Sequence, residues 1–127
     1  GAQGKRAVRL PPETAHGFIR NTTIGVVATD AVLSTAQAQK VAQMAHDGMA
    51  RAVRPAHTML DGDTIFCLAM GGKTLPETPG IGIAAQAQGL SELGHAVANC
   101  VSRAIIRAIL SAHSLAGMTA FCDLEDK

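Results

Sequence analysis

One threonine and two aspartates carry the strongest chemical signal in this sequence. Thr22 opens an apolar, β-prone run, and Asp61 and Asp63 flank a glycine just ahead of a second such run. A threonine hydroxyl is a weak nucleophile at neutral pH, so an enzyme that uses one must supply a base. Cleavage of the Asn21–Thr22 bond would free an α-amine that titrates near neutrality beside the hydroxyl. This combination is typical of an autoprocessing hydrolase, in which Thr22, Asp61 and Asp63 would be the candidate catalytic residues and Asn21–Thr22 the candidate cleavage site.

The two carboxylates have two interpretations. A carboxylate near the freed amine stabilises its charged form and raises its pKa, whereas burial lowers that pKa, so two acids can both orient and tune the base. Alternatively, Asp61-Gly62-Asp63 is only a tight turn at the start of a strand, because both residue types favour turns. The presence of Thr22 at the start of the other strand favours the catalytic interpretation.

Two predicted strands lie next to these residues. Residues 22–29 and residues 64–70 are both β-prone and apolar on both alternating faces, which is typical of strands buried within a layered fold. Gly71 and Gly72 are expected to end the second strand. Thr22 would then be the first residue of its strand, and the two acids would lie where the second strand begins.

Two predicted helices accompany the strands. Ser34 and Gln37 match a capping box, and apolar residues then recur at helical spacing until Pro55 ends the helix. Residues 73–88 are rich in Pro and Gly and predict a loop, followed by a helix over residues 91–113. The predicted apolar stripe of this second helix is Leu93, Val97, Cys100, Val101, Ala104, Ile105, Ala108 and Ala112. One-sided helices with apolar strands indicate an α+β fold in which helices cover layered sheets.

Length, composition and net charge limit the number of domains and the kinds of partner that this protein is expected to have. The 127 residues provide one domain at most. Apolar residues make up 47% of the chain but aromatic residues only 2%, so each buried side chain is small and the unit is expected to need a partner surface. A net charge of +1 provides no field that attracts nucleic acid or an anionic membrane. Every long apolar run contains a charge or a glycine, so no membrane span is expected either.

The cysteines and histidines predict neither a metal nor a cofactor. Cys67, Cys100 and Cys122 are odd in number and far apart, so we expect buried free thiols in a reducing cytoplasm. His46 and His57 do not have the spacing of a zinc-binding H-E-x-x-H motif, and His57 is predicted to position the loop that carries the carboxylates. The glycine-rich segments lack the strand and helix that phosphate-binding and dinucleotide-binding motifs require.

Four segments resemble the L-aminopeptidase/D-esterase family in order and spacing. They are residues 21–31, 45–48, 54–58 and 61–64. This family includes β-peptidyl aminopeptidases and nylon-oligomer hydrolases, which are N-terminal-nucleophile enzymes made from self-cleaving precursors. The resemblance implies that Thr22 attacks the amide carbonyl, while Asp61 and Asp63 hydrogen-bond around its hydroxyl and freed amine.

The resemblance also implies an αββα-type layered sandwich that an upstream segment of the same precursor completes. Residues 1–21 would be the end of this α segment, a connector before the cleavage site, and residues 22–127 the catalytic β subunit. Family members draw a lysine and an oxyanion-binding asparagine from the upstream segment. We therefore expect a cytoplasmic amidohydrolase or aminopeptidase that acts on a small amide or peptide through an acyl-threonine, as a homo-oligomer of α/β heterodimers. An acyltransferase of the ornithine acetyltransferase type and a binding module without catalysis are the alternatives.

Overall fold

The computed structural model describes residues 22–76 and 83–124. Its elements are β1 (Ile24–Ala31), α1 (Thr35–Ala52), β2 (Thr64–Lys73), α2 (Ile83–Ser111) and a short 3-10 helix (Phe121–Asp123). The connector predicted for residues 1–21, which includes Asn21, lies outside the described residues. Strands β1 and β2 pair in parallel, and α1 packs against both β2 and α2. This mixture agrees with the predicted α+β class, whereas the αββα sandwich stays a prediction.

Helix α1 begins where the sequence predicts. Ser34 is the N-cap residue: its hydroxyl accepts a hydrogen bond from the Gln37 N–H at 3.3 Å. The Gln37 side chain in turn accepts from the Ser34 N–H at 2.8 Å. This reciprocal pair satisfies backbone donors that a helix start otherwise leaves without partners. The predicted capping box is therefore confirmed.

The core lies between α1, α2 and β2. Its buried members are Val41, Ala45, Met49, Ile65 and Val97. The two helices approach each other closely at Gly48, where an added Cβ would overlap the carbonyl oxygen of Ala98. A glycine at this position thus permits the helix contact that small side chains on both helices suggest.

Strand β2 is longer than predicted. It passes through Gly71 and Gly72 and ends at Lys73, so the prediction that these glycines end the strand is wrong. Gly71 adopts a left-handed φ of 69°, and the pairing register shifts between Thr29 and Ala31. The strand therefore continues past the glycines through a local irregularity, which glycine tolerates because it lacks a Cβ.

Helix α2 also departs from the prediction. It begins at Ile83, so the prediction of a loop over residues 73–88 is wrong for residues 83–88 as well as for the end of β2. The alanines and glutamines between Ile83 and Gly89 are strong helix formers, and they outweigh the neighbouring glycines.

The predicted apolar stripe of α2 is only partly buried. Val97 is buried, and three further members are half-buried against the core: Leu93, Val101 and Ile105. The remaining members are exposed in this chain: Cys100, Ala104, Ala108 and Ala112.

Within the described residues, the strands are covered on one face only, and burial of the second face stays a prediction. One face of the sheet, with Ile65, packs against α1. The other face exposes five apolar side chains: Ile24, Val26, Phe66, Leu68 and Met70. We call these five side chains the open face of the sheet. An apolar surface of this kind is typical of a site where another element packs.

The prediction about the cysteines needs correction. Cys67 is half-buried, and burial raises the pKa of its thiol, but Cys100 and Cys122 are exposed, so the prediction of buried thiols is wrong for these two.

Residues Gln86–Ser111 of α2 are long and apolar enough to cross a membrane by length and composition alone. Core helices of soluble proteins meet the same criterion.

Candidate active site

Thr22 and the acidic loop meet at one edge of the sheet. Parallel strands begin at the same edge, so the residues that precede β1 lie beside those that precede β2. The Thr64 N–H donates to the Thr23 carbonyl at 2.9 Å, which ties the two segments together. Thr22 lies two residues before Ile24, the first residue of β1, and not within the strand as predicted. We call this region, residues 22–23 with residues 57–58 and 61–64, the nucleophile edge.

The Thr22 hydroxyl contacts the acidic loop directly. The Gly62 N–H donates to Thr22 Oγ1 at 3.3 Å. An added Cβ on Gly62 would lie 3.0 Å from the same oxygen, which is closer than ordinary van der Waals contact. Glycine therefore allows the loop backbone to approach the hydroxyl. Thr22 itself is exposed within the described residues.

Asp63 is held by three hydrogen-bond donors. Its side chain is 7% exposed, and Oδ1 accepts from the Thr23 N–H at 3.0 Å. Oδ2 accepts from the His57 N–H at 3.1 Å and lies 2.8 Å from His57 Nδ1. These donors, above all the Thr23 N–H, hold the pKa of the Asp63 carboxyl below its ordinary value, although burial opposes them. Asp63 is therefore an anion at neutral pH, fixed beside the Thr22–Thr23 backbone.

Asp61 has a different set of contacts. Its Oδ2 accepts from the Thr58 N–H at 2.7 Å, and its own N–H donates to the Thr58 carbonyl at 3.0 Å. These two bonds close a turn, so the turn interpretation of the Asp-Gly-Asp segment describes Asp61. The structure thus brings Gly62 and Asp63 to Thr22–Thr23, while Asp61 shapes the loop that carries them.

His57 contacts Asp63, in agreement with its predicted role in positioning the carboxylate loop. Its backbone has a left-handed φ of 58°, which directs both its N–H and its ring to Asp63. On the other side of the ring, Nε2 lies 3.4 Å from Nδ1 of His46 on α1. The sequence analysis missed the contribution of His46, because helix spacing does not reveal a contact with a later loop. Within residues 22–76 and 83–124, no three His, Cys, Asp or Glu side chains are grouped to hold a metal ion.

Comparison with known proteins decides the family. Residues 2–121 match the model of peptidase family S58. The chain belongs to this family. The predicted resemblance to the L-aminopeptidase/D-esterase family and its nylon-hydrolase members is thereby confirmed.

Several curated relatives resemble this S58 chain. An uncharacterized aminopeptidase of Mycobacterium leprae is 45% identical over 93% of this chain and 36% of its own length. An uncharacterized aminopeptidase of Mycobacterium tuberculosis is 44% identical over 82% of this chain and 31% of its own length. A 6-aminohexanoate-oligomer endohydrolase of Kocuria sp. is 39% identical over 58% of this chain and 20% of its own length. The S58 chain thus spans about a third of the length of its aminopeptidase relatives.

Proposed function

We propose that this S58 chain carries the nucleophile of an autoprocessed amidohydrolase or aminopeptidase, and that Thr22 is that nucleophile. Family membership and the names of the relatives support hydrolysis of amide bonds. One observation supports the choice of residues above all others. The Gly62-Asp63 backbone and carboxylate are hydrogen-bonded to Thr22 and Thr23, although about forty residues separate them.

Processing would begin at the Asn21–Thr22 peptide bond. Thr22 Oγ1 attacks the Asn21 carbonyl carbon, and the C–N bond breaks as the new C–O ester bond forms. The hydroxyl proton passes to the departing nitrogen, which becomes the α-amine of Thr22. Water then hydrolyses the ester, which leaves a carboxylate on Asn21 and a free N-terminus on Thr22.

Turnover would use the same oxygen. The α-amine of Thr22 accepts the hydroxyl proton as Oγ1 attacks the substrate carbonyl, and the proton then passes to the leaving amine. Water attacks the acyl-threonine and releases the acid product. Asp63 stabilises the amine while it carries the proton, because an anion favours a neighbouring cation. Asp61 holds the shape of the loop that presents Gly62 and Asp63.

The remainder of the precursor would complete the enzyme. The open face of the sheet offers an apolar surface for the upstream α segment, whose predicted lysine and asparagine would join the site. The substrate is a small amide or peptide, in keeping with a net charge of +1 that attracts no polyanion. The mature protein is proposed to be a homo-oligomer of α/β heterodimers.

The test is to express the full-length precursor and determine the intact masses of its products. We expect two chains, one of which begins at Thr22. Thr22→Ala should leave one uncleaved chain, whereas Thr23→Ala, which keeps the backbone N–H that Asp63 binds, should be cleaved. Cleavage at the Asn21–Thr22 bond in the Thr22→Ala precursor would contradict the proposal.

A second measurement separates hydrolysis from acyl transfer. Purified mature enzyme is assayed on a small amide in buffer that contains no amine acceptor. Release of the free acid under these conditions supports the hydrolase. Release that requires an added amine such as an amino acid would instead support the acyltransferase alternative.

A further inference from the structure

Both oxygens of the Asp63 carboxylate accept hydrogen bonds, and the partners of Oδ2 both belong to His57. A carboxylate oxygen accepts about two hydrogen bonds. Oδ2 receives the N–H and lies next to the Nδ1 of His57, so its acceptor capacity is filled by one residue. Oδ1 accepts from the Thr23 N–H and keeps capacity for one more donor beside Thr22. His57 thus holds the carboxylate in an orientation that presents its other oxygen to the Thr22–Thr23 backbone.

The chemistry of the two rings sets the direction of their hydrogen bonds. An ionised carboxylate only accepts, so the His57 Nδ1 that lies 2.8 Å from Asp63 Oδ2 carries a proton. In a neutral imidazole Nε2 is then an acceptor, and it faces Nδ1 of His46 at 3.4 Å. The two ring centroids are 4.8 Å apart, with the planes tilted by 60°. His46 therefore braces the His57 ring from α1, opposite Asp63.

The exposure of His57 indicates how much its contact with Asp63 contributes to the stability of the fold. The His57 side chain is 37% exposed, whereas the Asp63 side chain is 7% exposed. Solvent screens an attraction that involves a group as accessible as this ring, so the pair contributes little to global stability. The backbone N–H and the ring Nδ1 of His57 nevertheless both converge on Oδ2, so the contact acts on the local orientation of the carboxylate.

We propose that His57 is a positioning residue for the Thr22 reaction. It fills Oδ2 of Asp63 and so holds Oδ1 towards the Thr22–Thr23 backbone, and His46 supports it by orienting its ring. The proposal rests on the proposed roles of Thr22 and Asp63. Without the ring, Oδ2 would keep only the His57 N–H, and the carboxylate could rotate away from the nucleophile.

The backbone conformation of His57 supplies a matched pair of variants. At a φ of 58°, glycine and asparagine are the residues that fit best. His57→Gly removes the ring and keeps the N–H. His57→Asn also removes the ring, but its side-chain amide nitrogen can take the position of Nδ1 and donate to Asp63. The two variants therefore differ mainly in the hydrogen bond under test.

The rate of self-cleavage is the first readout, because the precursor contains its own substrate. Pulse-labelled full-length precursor is made by cell-free translation, and cleavage at the Asn21–Thr22 bond is followed with time. We expect His57→Gly to slow cleavage by about tenfold to a hundredfold, the fold-change that corresponds to a hydrogen bond to a charged group. His57→Asn should cleave within about threefold of the wild type.

Mature enzyme provides the second readout. On a small amide, His57→Gly should lower kcat and leave KM nearly unchanged, because the proposal gives His57 no contact with substrate. His46→Phe, which keeps a ring on α1 but removes its donor, should cause a smaller fall in kcat. Thermal unfolding measured on the same samples shows whether any variant has lost its fold, and His46→Phe tests the proposal should His57→Gly be unstable.

The outcomes separate this proposal from the assignment of Thr22. Equal loss in His57→Gly and His57→Asn, or no loss in His57→Gly, would overturn the positioning role while wild-type maturation at Thr22 still stood. Cleavage of the Thr22→Ala precursor would instead overturn the proposed function itself.

Discussion

The two edges of the β1–β2 pair are held together in different ways. At the nucleophile edge, the nearly buried Asp63 carboxylate accepts backbone hydrogen bonds from two separate segments. At the far edge, Lys73 and Asp30 form an ion pair of 2.7 Å, with side chains 77% and 59% exposed. An exposed ion pair is screened by solvent and contributes little, whereas a nearly buried carboxylate leaves several donors without a partner when it is removed. The less exposed and more extensively hydrogen-bonded edge is thus the one where the reaction of Thr22 is proposed.

The largest expected effect comes from the two acids. Asp63→Ala leaves the Thr23 and His57 N–H groups without their acceptor, so self-cleavage and turnover should fall by about a hundredfold or more. Asp61→Ala should have a smaller effect, because Asp61 acts through the turn with Thr58.

A double-mutant cycle tests whether these residues form one unit. The double variant should be no worse than Asp63→Ala alone, since residues that serve one step are not additive. Independent, small effects of Asp61→Ala and Asp63→Ala would favour the interpretation of the whole loop as a turn only.

Glycine substitutions compare the two edges directly. A Cβ at Gly62 would lie 3.0 Å from Thr22 Oγ1, whereas a Cβ at Gly72 would lie 3.5 Å from the Asp30 carbonyl, an ordinary contact. Gly62→Ala should therefore displace the hydroxyl and slow self-cleavage by roughly tenfold, because small displacements of a reacting group are costly. Gly72→Ala is the matched control and should cleave at the wild-type rate. Equal rates for the two variants would show that the close approach of Gly62 to Thr22 does not affect self-cleavage.

The pH dependence of stability should differ between variants at the two edges, but this effect should be smaller than the effects on self-cleavage. The pKa of Asp63 is lowered by the Thr23 N–H, and the pKa of Asp30 by Lys73, each below the ordinary value of 3.8. A carboxyl with a lowered folded pKa stabilises the fold above pH 3.8 and loses this contribution as the pH falls through its folded pKa. Urea unfolding of the full-length protein from pH 6 to pH 2 should therefore show a weaker acid dependence for Asp63→Asn. Asp30→Asn should change it less, and the reverse order would contradict the comparison.

The smallest expected effect is at Lys73. Lys73→Ala removes the exposed ion pair with Asp30, and we expect wild-type self-cleavage and a melting temperature close to that of the wild type. Any shift in the melting temperature should disappear in 1 M NaCl, because salt screens charges at the surface. A shift that persists in high salt would mean that Lys73 contributes through packing of its side chain.

Local signals in the sequence were enough to predict part of this structure. The capping box of Ser34 and Gln37 predicted the start of α1, because a cap is a contact between neighbours in the chain. The start of α2 was missed, since the glycines and prolines ahead of Ile83 obscured the helix formers that follow. The apolar residues on both sides of each strand predicted that two surfaces need cover, but they did not show which of the two this segment covers.

The candidate site shows the same limit. Residue types, their position at the strand starts and the resemblance to the family together selected Thr22 and the acidic loop as candidates. They did not distinguish Asp61, which binds Thr58, from Asp63, which binds Thr23 and His57. The sequence gives no reason to prefer one of two aspartates that are separated by a single glycine. Only the path of the loop determines which carboxylate reaches the nucleophile edge.

The length of α1 determines where the acidic loop arrives. The eight residues of β1 advance the chain by about 26 Å, and the eighteen residues of α1 return it by about 27 Å. The helix is therefore about as long as the strand. The chain returns to the end of the sheet where β1 begins, and Gly62 lies beside the Thr22 hydroxyl. One additional helical turn, about 5 Å, would carry the loop past its target. A change in the length of α1 is therefore expected to displace the acidic loop from Thr22.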